Sequence, residues 1–465
     1  MGGQAPPAGE EEGATFQYPD SGSKSAALYE QALQVMPGGN TRTTVFRQPF
    51  PVYARSGSGS RIVDVDGVER VDFLNNYTAL IHGHAHPLIV ERVIAALRLG
   101  SCFGLPTESE IRLAEILCER VPSCESVRFT NSGSEAVMMA VKAARAYTGR
   151  PKIAKCEGVY HGSYEFVEVS LDPSESEWGD RTRPAAVPYS AGTPSGVVSD
   201  VVVLPFNDPE STSGILHDHR GELAAVVIDP LPNRVGMIPA SAEFIRAVRD
   251  YCTQTGTVLI CDEVISFRIG FRGAQTDFGF KADLTTFGKV IGGGFAVGAV
   301  GGRREIMSVF DPRAGKPRAP HGGTFNANPI SMTAGITALE LLSEASIDEL
   351  NRKGALARTR LQAVLDRAGI AWQVSGRGSL FRIVPTPLPL TDYRSSRGFG
   401  PAGSYLRSFT AALLNNGVLL DPGGLGCIST VMTDGDLDIL EDAARQLERS
   451  LRSPRPRVCR DRHRS

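Results

Sequence analysis

Between about residues 100 and 300, short strand-like runs recur, each ending on a polar or acidic residue and separated from the next by helical periodicity or loop. The clearest are Ser126-Val127-Arg128-Phe129, Lys152-Ile153-Ala154-Lys155-Cys156, Ala224-Ala225-Val226-Val227-Ile228 and Thr257-Val258-Leu259-Ile260-Cys261. Apolar runs as short as the last two suit strands covered on both faces. Strands that alternate with helices have few ways to pack, and the pattern predicts an α/β chain with a parallel, doubly wound sheet. In such sheets the ligand lies at the carboxyl ends of the strands.

Asp262-Glu263-Val264 follows the fourth run, and Lys289 stands between the strand-like Asp283 to Gly288 and the glycines 292 to 294. A lysine so placed is partly withdrawn from water, which lowers its pKa and supplies the free amine that carbonyl chemistry needs. Alone, a lysine beside glycines is more often a snorkelling side chain at a strand end. A phosphate loop is excluded, because Asp283 stands where its first glycine belongs and Val290 where its Ser or Thr belongs. A dinucleotide fingerprint fails at Val297. Asp262 by itself would cap a turn. With Lys289 it matches pyridoxal phosphate chemistry, which needs a lysine for the aldehyde and a carboxylate for the ring nitrogen.

Thr130-Asn131-Ser132-Gly133-Ser134 precedes a helix whose small apolar face runs through Ala136, Met139, Ala140, Ala143, Ala144 and Tyr147. Ser132 and Ser134 therefore serve as an N-cap, as part of a phosphate site, or as both. Tyr160, after the second run, is core filler or a ring that stacks on a flat cofactor. Arg42, behind Pro37-Gly38-Gly39, is a surface cation or a carboxylate clamp. His82, His84 and His86 share a Gly- and Pro-containing loop with no Cys or carboxylate cluster, so no metal is assigned.

The 465 residues carry a net charge of -2 and are 42% hydrophobic, which suits an ordinary protein with more than one core and suggests no nucleic-acid or membrane partner. Neither a membrane span nor a secretion signal is found. Eight scattered cysteines without a C-x-x-C pair suggest reduced thiols in a cytoplasmic enzyme. The expected organisation is a disordered tail (1–24), an N-terminal segment packing with a small domain (25–75), a large domain (76–330), a smaller α+β domain (331–451) and a basic tail (452–465). The arginines of that last stretch are read as a solvated extension.

Together, Gly83-His84-Ala85-His86-Pro87, Arg128 to Ala136, Tyr160-His161-Gly162, Asp262-Glu263-Val264, Gly288-Lys289 and Gly323-Thr324-Phe325 through Pro329 resemble the fold-type I, class III pyridoxal phosphate aminotransferases. The resemblance covers about residues 30 to 450 and lies in the branch that contains glutamate-1-semialdehyde aminomutase. It implies a large domain with a mostly parallel seven-stranded sheet, and pyridoxal 5'-phosphate as cofactor. Lys289 would hold the aldehyde and move the substrate proton, and Asp262 would face the ring nitrogen. Tyr160 and Val264 would flank the ring, while Ser132, Gly133 and Ser134 would bind the phosphate. Thr324 would reach the phosphate of a neighbouring subunit, making the active unit a homodimer. Asp229 replaces the glutamate common before Pro230, and Ser134 a common threonine.

Within the branch, Gly38 to Arg42, Pro232 to Gly236, and Ser396-Arg397-Gly398-Phe399 are similar to β-amino-acid (β-phenylalanine) aminotransferases. There the arginines matching Arg42 and Arg397 hold substrate carboxylates. The implied activity moves an amino group between a carboxylate-bearing, β-type amine and 2-oxoglutarate or pyruvate. The alternatives are an aminomutase-type isomerase and an aminotransferase acting on a cyclic ketone. A cofactor-free scaffold would not require Lys289, Asp262 and the Ser-Gly-Ser loop together.

Overall fold

The computed structural model describes residues 17–397 and 402–452, with side chains to residue 446. Near the N-terminus β1 (Ala54–Ser58), β2 (Arg61–Asp64) and β3 (Glu69–Asp72) form an antiparallel meander. The central sheet contains β4 (Ser126–Thr130), β5 (Lys152–Cys156), β6 (Val201–Leu204), β7 (Leu223–Ile228), β8 (Val258–Asp262), β9 (Leu284–Gly288) and β10 (Gly298–Gly302). Its seven strands lie in the order β4-β10-β9-β8-β7-β5-β6, and only β10 pairs antiparallel with its neighbours. Toward the C-terminus β11 (Gln373–Ser375), β12 (Leu380–Val384) and β14 (Leu425–Cys427) make a third sheet, while β13 (Val418–Leu419) joins β3.

The central strands are apolar throughout because both faces are covered. Ala225, Val227, Val258 and Ile260 pack with Val137, Ala140 and Ala144 of the helix Gly133–Thr148. The alternate residues Val226, Ile228, Leu259 and Cys261 pack with Phe244, Ile245 and Val248 of the helix Ala242–Thr255. The period-2 pleat thus distributes each strand between two cores.

Two boundaries differ from expectation. Order reaches back before residue 24: Tyr18 is buried, and its hydroxyl donates to the carbonyls of Gln48 and Phe50 at 2.7 Å each. Its ring packs with Phe50 and Leu414, an anchor that the polar composition of the segment concealed. The expected start of the smaller domain at residue 331 falls inside the helix Pro329–Leu341, which is followed by the helix Glu344–Ala368. The first belongs with the large unit rather than with the smaller one. Its Ala334 and Ala338 pack on Ile89, and a Cβ on Gly335 would lie 2.1 Å from the Ile291 carbonyl, so glycine lets the helix press on the turn after Lys289. Residues 1–16 of the N-terminal tail, Gly398-Phe399 and tail residues 453–465 lie outside the described residues.

Arg268, fully buried, ties these units together. It donates to Ser379 Oγ at 2.9 Å, to the Thr78 carbonyl at 2.8 Å and to the Ile428 carbonyl. Among the described residues, no helix is long and apolar enough to cross a membrane.

Candidate active site

The carboxyl ends of β4, β5, β7, β8 and β9 converge on a cavity of about 120 Å³. Gly133, Ser134, Tyr160, His161, Asp229, Asp262, Val264 and Lys289 are among its lining residues. Asp262, the last residue of β8, is 4% exposed. Its Oδ1 accepts from the Val264 amide (3.0 Å) and the Thr286 hydroxyl (3.2 Å), and its Oδ2 lies 2.8 Å from His161 Nδ1. Burial lowers the proton affinity of His161 against the pull of Asp262, so a neutral ring donating through Nδ1 fits the pair.

Lys289 follows β9 with φ 49°, a left-handed backbone that a non-glycine residue adopts at a cost of about 1–2 kcal/mol. Burial depresses its pKa, while Asp262 and Asp229 pull the other way. Asp229, buried at the end of β7, has its pKa pushed well above the carboxylate range by burial and by Asp262. Its Oδ1 accepts from the Leu231 amide at 2.9 Å.

Ser132 caps the helix Gly133–Thr148 by accepting from the Glu135 amide at 3.2 Å. The amides of Gly133 and Ser134 occupy the first turn, where no intrahelical acceptor exists and the helix dipole favours an anion. A Cβ on Gly133 would sit 2.8 Å from Val264, so glycine is needed for this close approach. A helix N-terminus with two serines, a depressed lysine, a buried carboxylate, and Tyr160 and Val264 on the walls fit a flat, phosphorylated aldehyde.

Four expected residues, Ser132, Thr324, Arg42 and Arg397, are not among those lining this cavity. Thr324 is exposed in the turn before Pro329. Arg42 lines a neighbouring cavity of about 480 Å³ with Tyr77, Leu80, Leu420 and Gly294, the last from the glycine turn after Lys289. Its Nη1 donates to Asn76 Oδ1 at 2.8 Å, and its guanidinium carbon lies 5.8 Å from the Tyr77 ring centroid. Asn75 to Thr78 all have positive φ, an unusual left-handed turn that stores strain beside Arg42. Arg397 pairs with Asp172 at 2.7 Å and lies over the Tyr393 ring at 5.4 Å. The segment after Leu171 is held by the same strap, since Arg394 pairs with Glu157 and donates to the Trp178 carbonyl at 2.7 Å.

His82 contacts Thr430 Oγ1 (3.0 Å) and the Ala338 carbonyl (2.8 Å), and His84 pairs with Asp72 at 2.7 Å, so both fasten loops. Sequence reasoning gave no role to His161 or Thr286. The position of His161 directly after Tyr160 was the available signal; Thr286 gave none, because only strand register puts it against Asp262.

The chain matches the model of the class-III aminotransferases over residues 44–437. It is 36% identical over 418 residues to a glutamate-1-semialdehyde 2,1-aminomutase of Methanosphaera stadtmanae, covering 89% of this chain and 96% of that one. Its structure is similar to that of an omega-transaminase from Sphaerobacter thermophilus, with a TM-score of 0.91 and 52% identity over 94% of this chain and 99% of the other. It is also similar to a β-phenylalanine aminotransferase from Variovorax paradoxus, with a TM-score of 0.82 and 34% identity over 92% of this chain and 94% of the other. The chain belongs to the class-III aminotransferases, pyridoxal-phosphate-dependent enzymes of fold-type I.

Because Asp262 holds a proton on Lys289, removing its charge releases that proton more easily. In cofactor-free protein, an amine-reactive aldehyde is expected to label Lys289 at a pH below that needed for exposed lysines. Asp262→Asn shifts the labelling midpoint, followed by peptide mass spectrometry, to still lower pH. A midpoint that rises or stays put contradicts this electrostatic picture.

Proposed function

We propose that this enzyme transfers an amino group between a β-amino acid, or a similar carboxylate-bearing amine, and 2-oxoglutarate or pyruvate. The observation that carries this reading is the position of Arg42: its guanidinium, held by Asn76, borders a cavity with Leu74, Leu80, Leu419 and Leu420 in its walls. A carboxylate on Arg42 leaves an apolar body to those leucines, and the shared glycine turn keeps the reacting carbon near Lys289. The 52% identity to an omega-transaminase and the 34% identity to a β-phenylalanine aminotransferase support the same direction.

In this reading Ser132, Gly133 and Ser134 hold the cofactor phosphate, Tyr160 and Val264 flank its ring, and Asp262 faces the ring nitrogen. When bound, pyridoxal phosphate supplies an aldehyde that captures the amine and a ring that stabilises the carbanion. Lys289, with its depressed pKa, takes the proton from the substrate carbon at Nζ and returns it. His161 and Thr286 fix Asp262. Arg397 reads a substrate carboxylate in competition with Asp172, a half-exposed and exchangeable partner. Seven described cysteines are free, in keeping with a cytoplasmic enzyme.

An aminomutase is the second reading, supported by the 36% identity to such an enzyme. The two differ in whether turnover needs an acceptor. Given a β-amino acid, the enzyme is expected to turn over continuously only with 2-oxoglutarate or pyruvate, and to perform one stoichiometric half-reaction without it. Arg397→Ala should lower use of carboxylate-bearing substrates by about tenfold or more. Efficient conversion of glutamate-1-semialdehyde with no added acceptor would establish the isomerase instead.

The active unit is proposed to be a homodimer in which Thr324 serves the partner's phosphate site. Ile94, Leu97, Leu99, Phe103 and Leu105 are 47–82% exposed, an apolar stretch suited to a second copy. Sedimentation of the active holoenzyme as a dimer is expected, and an active monomer excludes the shared site.

A further inference from the structure

We propose that Arg234 and Arg382 form a second carboxylate subsite, one that takes the distal carboxylate of a dicarboxylate acceptor. The proposal rests on the transaminase reading above and adds to Arg42 and Arg397 a pair of cations that selects the acceptor.

The turn Asn233–Val235 leaves the end of β7 just after Asp229, a residue of the cofactor cavity. Leu231, between them, packs in one cluster with Ile265, which also lines that cavity. Arg382 approaches this turn from β12, its Nη1 donating to Asn233 Oδ1 at 2.7 Å. Ser396 closes the other side, its Cβ 2.9 Å from where a Cβ on Gly236 would stand. Arg397 follows directly, so three guanidinium groups belong to segments that meet at one turn.

Their counter-charges do not match. Arg397 is paired with Asp172 at 2.7 Å. Among the described residues, Arg382 has no carboxylate within ion-pairing distance. Asp421 acts on it at longer range, with its Oδ2 accepting from the Gly423 amide at 2.8 Å. Arg234 is half-buried and makes no hydrogen bond or ion pair with any described residue. Burial depresses the proton affinity of Arg382, and Arg234 and Arg397 push it in the same direction against Asp421. A partly desolvated guanidinium without a partner is unfavourable until an anion supplies one. The planar fork of Arg382, fixed at one nitrogen by Asn233, and the free fork of Arg234 suit a carboxylate. Pyruvate has one carboxylate, needed for orientation, whereas 2-oxoglutarate has a second to reach this turn.

The test compares acceptors in the holoenzyme and reads ligand binding independently of turnover. Glutarate and butyrate are titrated against the visible absorption of the bound cofactor, and kcat/KM is measured for 2-oxoglutarate and pyruvate. Arg234→Gln is expected to lower the 2-oxoglutarate-to-pyruvate ratio, and the glutarate-to-butyrate affinity ratio, by about tenfold or more. Arg382→Gln should lower both in the same direction, and Arg234→Lys should restore part of each. Unchanged ratios in a folded, cofactor-loaded variant overturn the subsite. Equal weakening of all four ligands with a displaced cofactor absorption also overturns it, and assigns Arg234 to the cofactor. Absence of any half-reaction with β-amino acids in the wild type defeats the broader reading, while the glutarate and butyrate titrations still report on the subsite.

Discussion

A carboxylate at the bottom of a protein cleft must be given donors, and the way Asp262 receives them shapes the site. The strand β8 delivers it to the sheet's carboxyl edge, where the Val264 amide and the Thr286 hydroxyl serve one oxygen and His161 the other. Those donors come from the loop after β8, from β9 and from the segment after β5. Their spacing therefore depends on the order β9-β8-β7-β5. Lys289, directly after β9, inherits its position from the same register, and its left-handed backbone persists because the following turn is pressed between the helix Pro329–Leu341 and the sheet.

The electrostatics follow from this burial. Asp229, Asp262 and Lys289 share one small cavity, and burial raises the pKa of Asp229 while it depresses that of the lysine. Burial thus favours the neutral amine of Lys289, while Asp262 opposes the loss of its proton. Arg42 and Arg397 lie farther out, each with a local partner, Asn76 and Asp172 respectively.

The sheet was legible in the chain because its strands are covered on both faces and so carry little but β-branched and small residues. The glycine turn marked Lys289, the strand end marked Asp262, and Ser132 announced the helix it caps. What stayed hidden depends on long-range contacts. The antiparallel β10 is Gly298 to Gly302, a stretch with too many glycines to read as a strand. Tyr18 is anchored by residues some 400 positions away, Asn415 included (|i−j| = 397). The pairing of Arg397 with Asp172, and the absence of a partner for Arg234 among the described residues, arise only once the C-terminal unit meets β5 and β7. Local pattern records burial and turns, but not which distant charges meet.

The identity of the reactive lysine underlies everything else, and it can be read without turnover. Borohydride reduction of the holoenzyme, followed by peptide mapping, should fix the cofactor to the peptide containing Lys289 and bleach the visible absorption in step with that single modification. Cofactor fixed to any other lysine, such as the fully buried Lys155, would contradict the assignment.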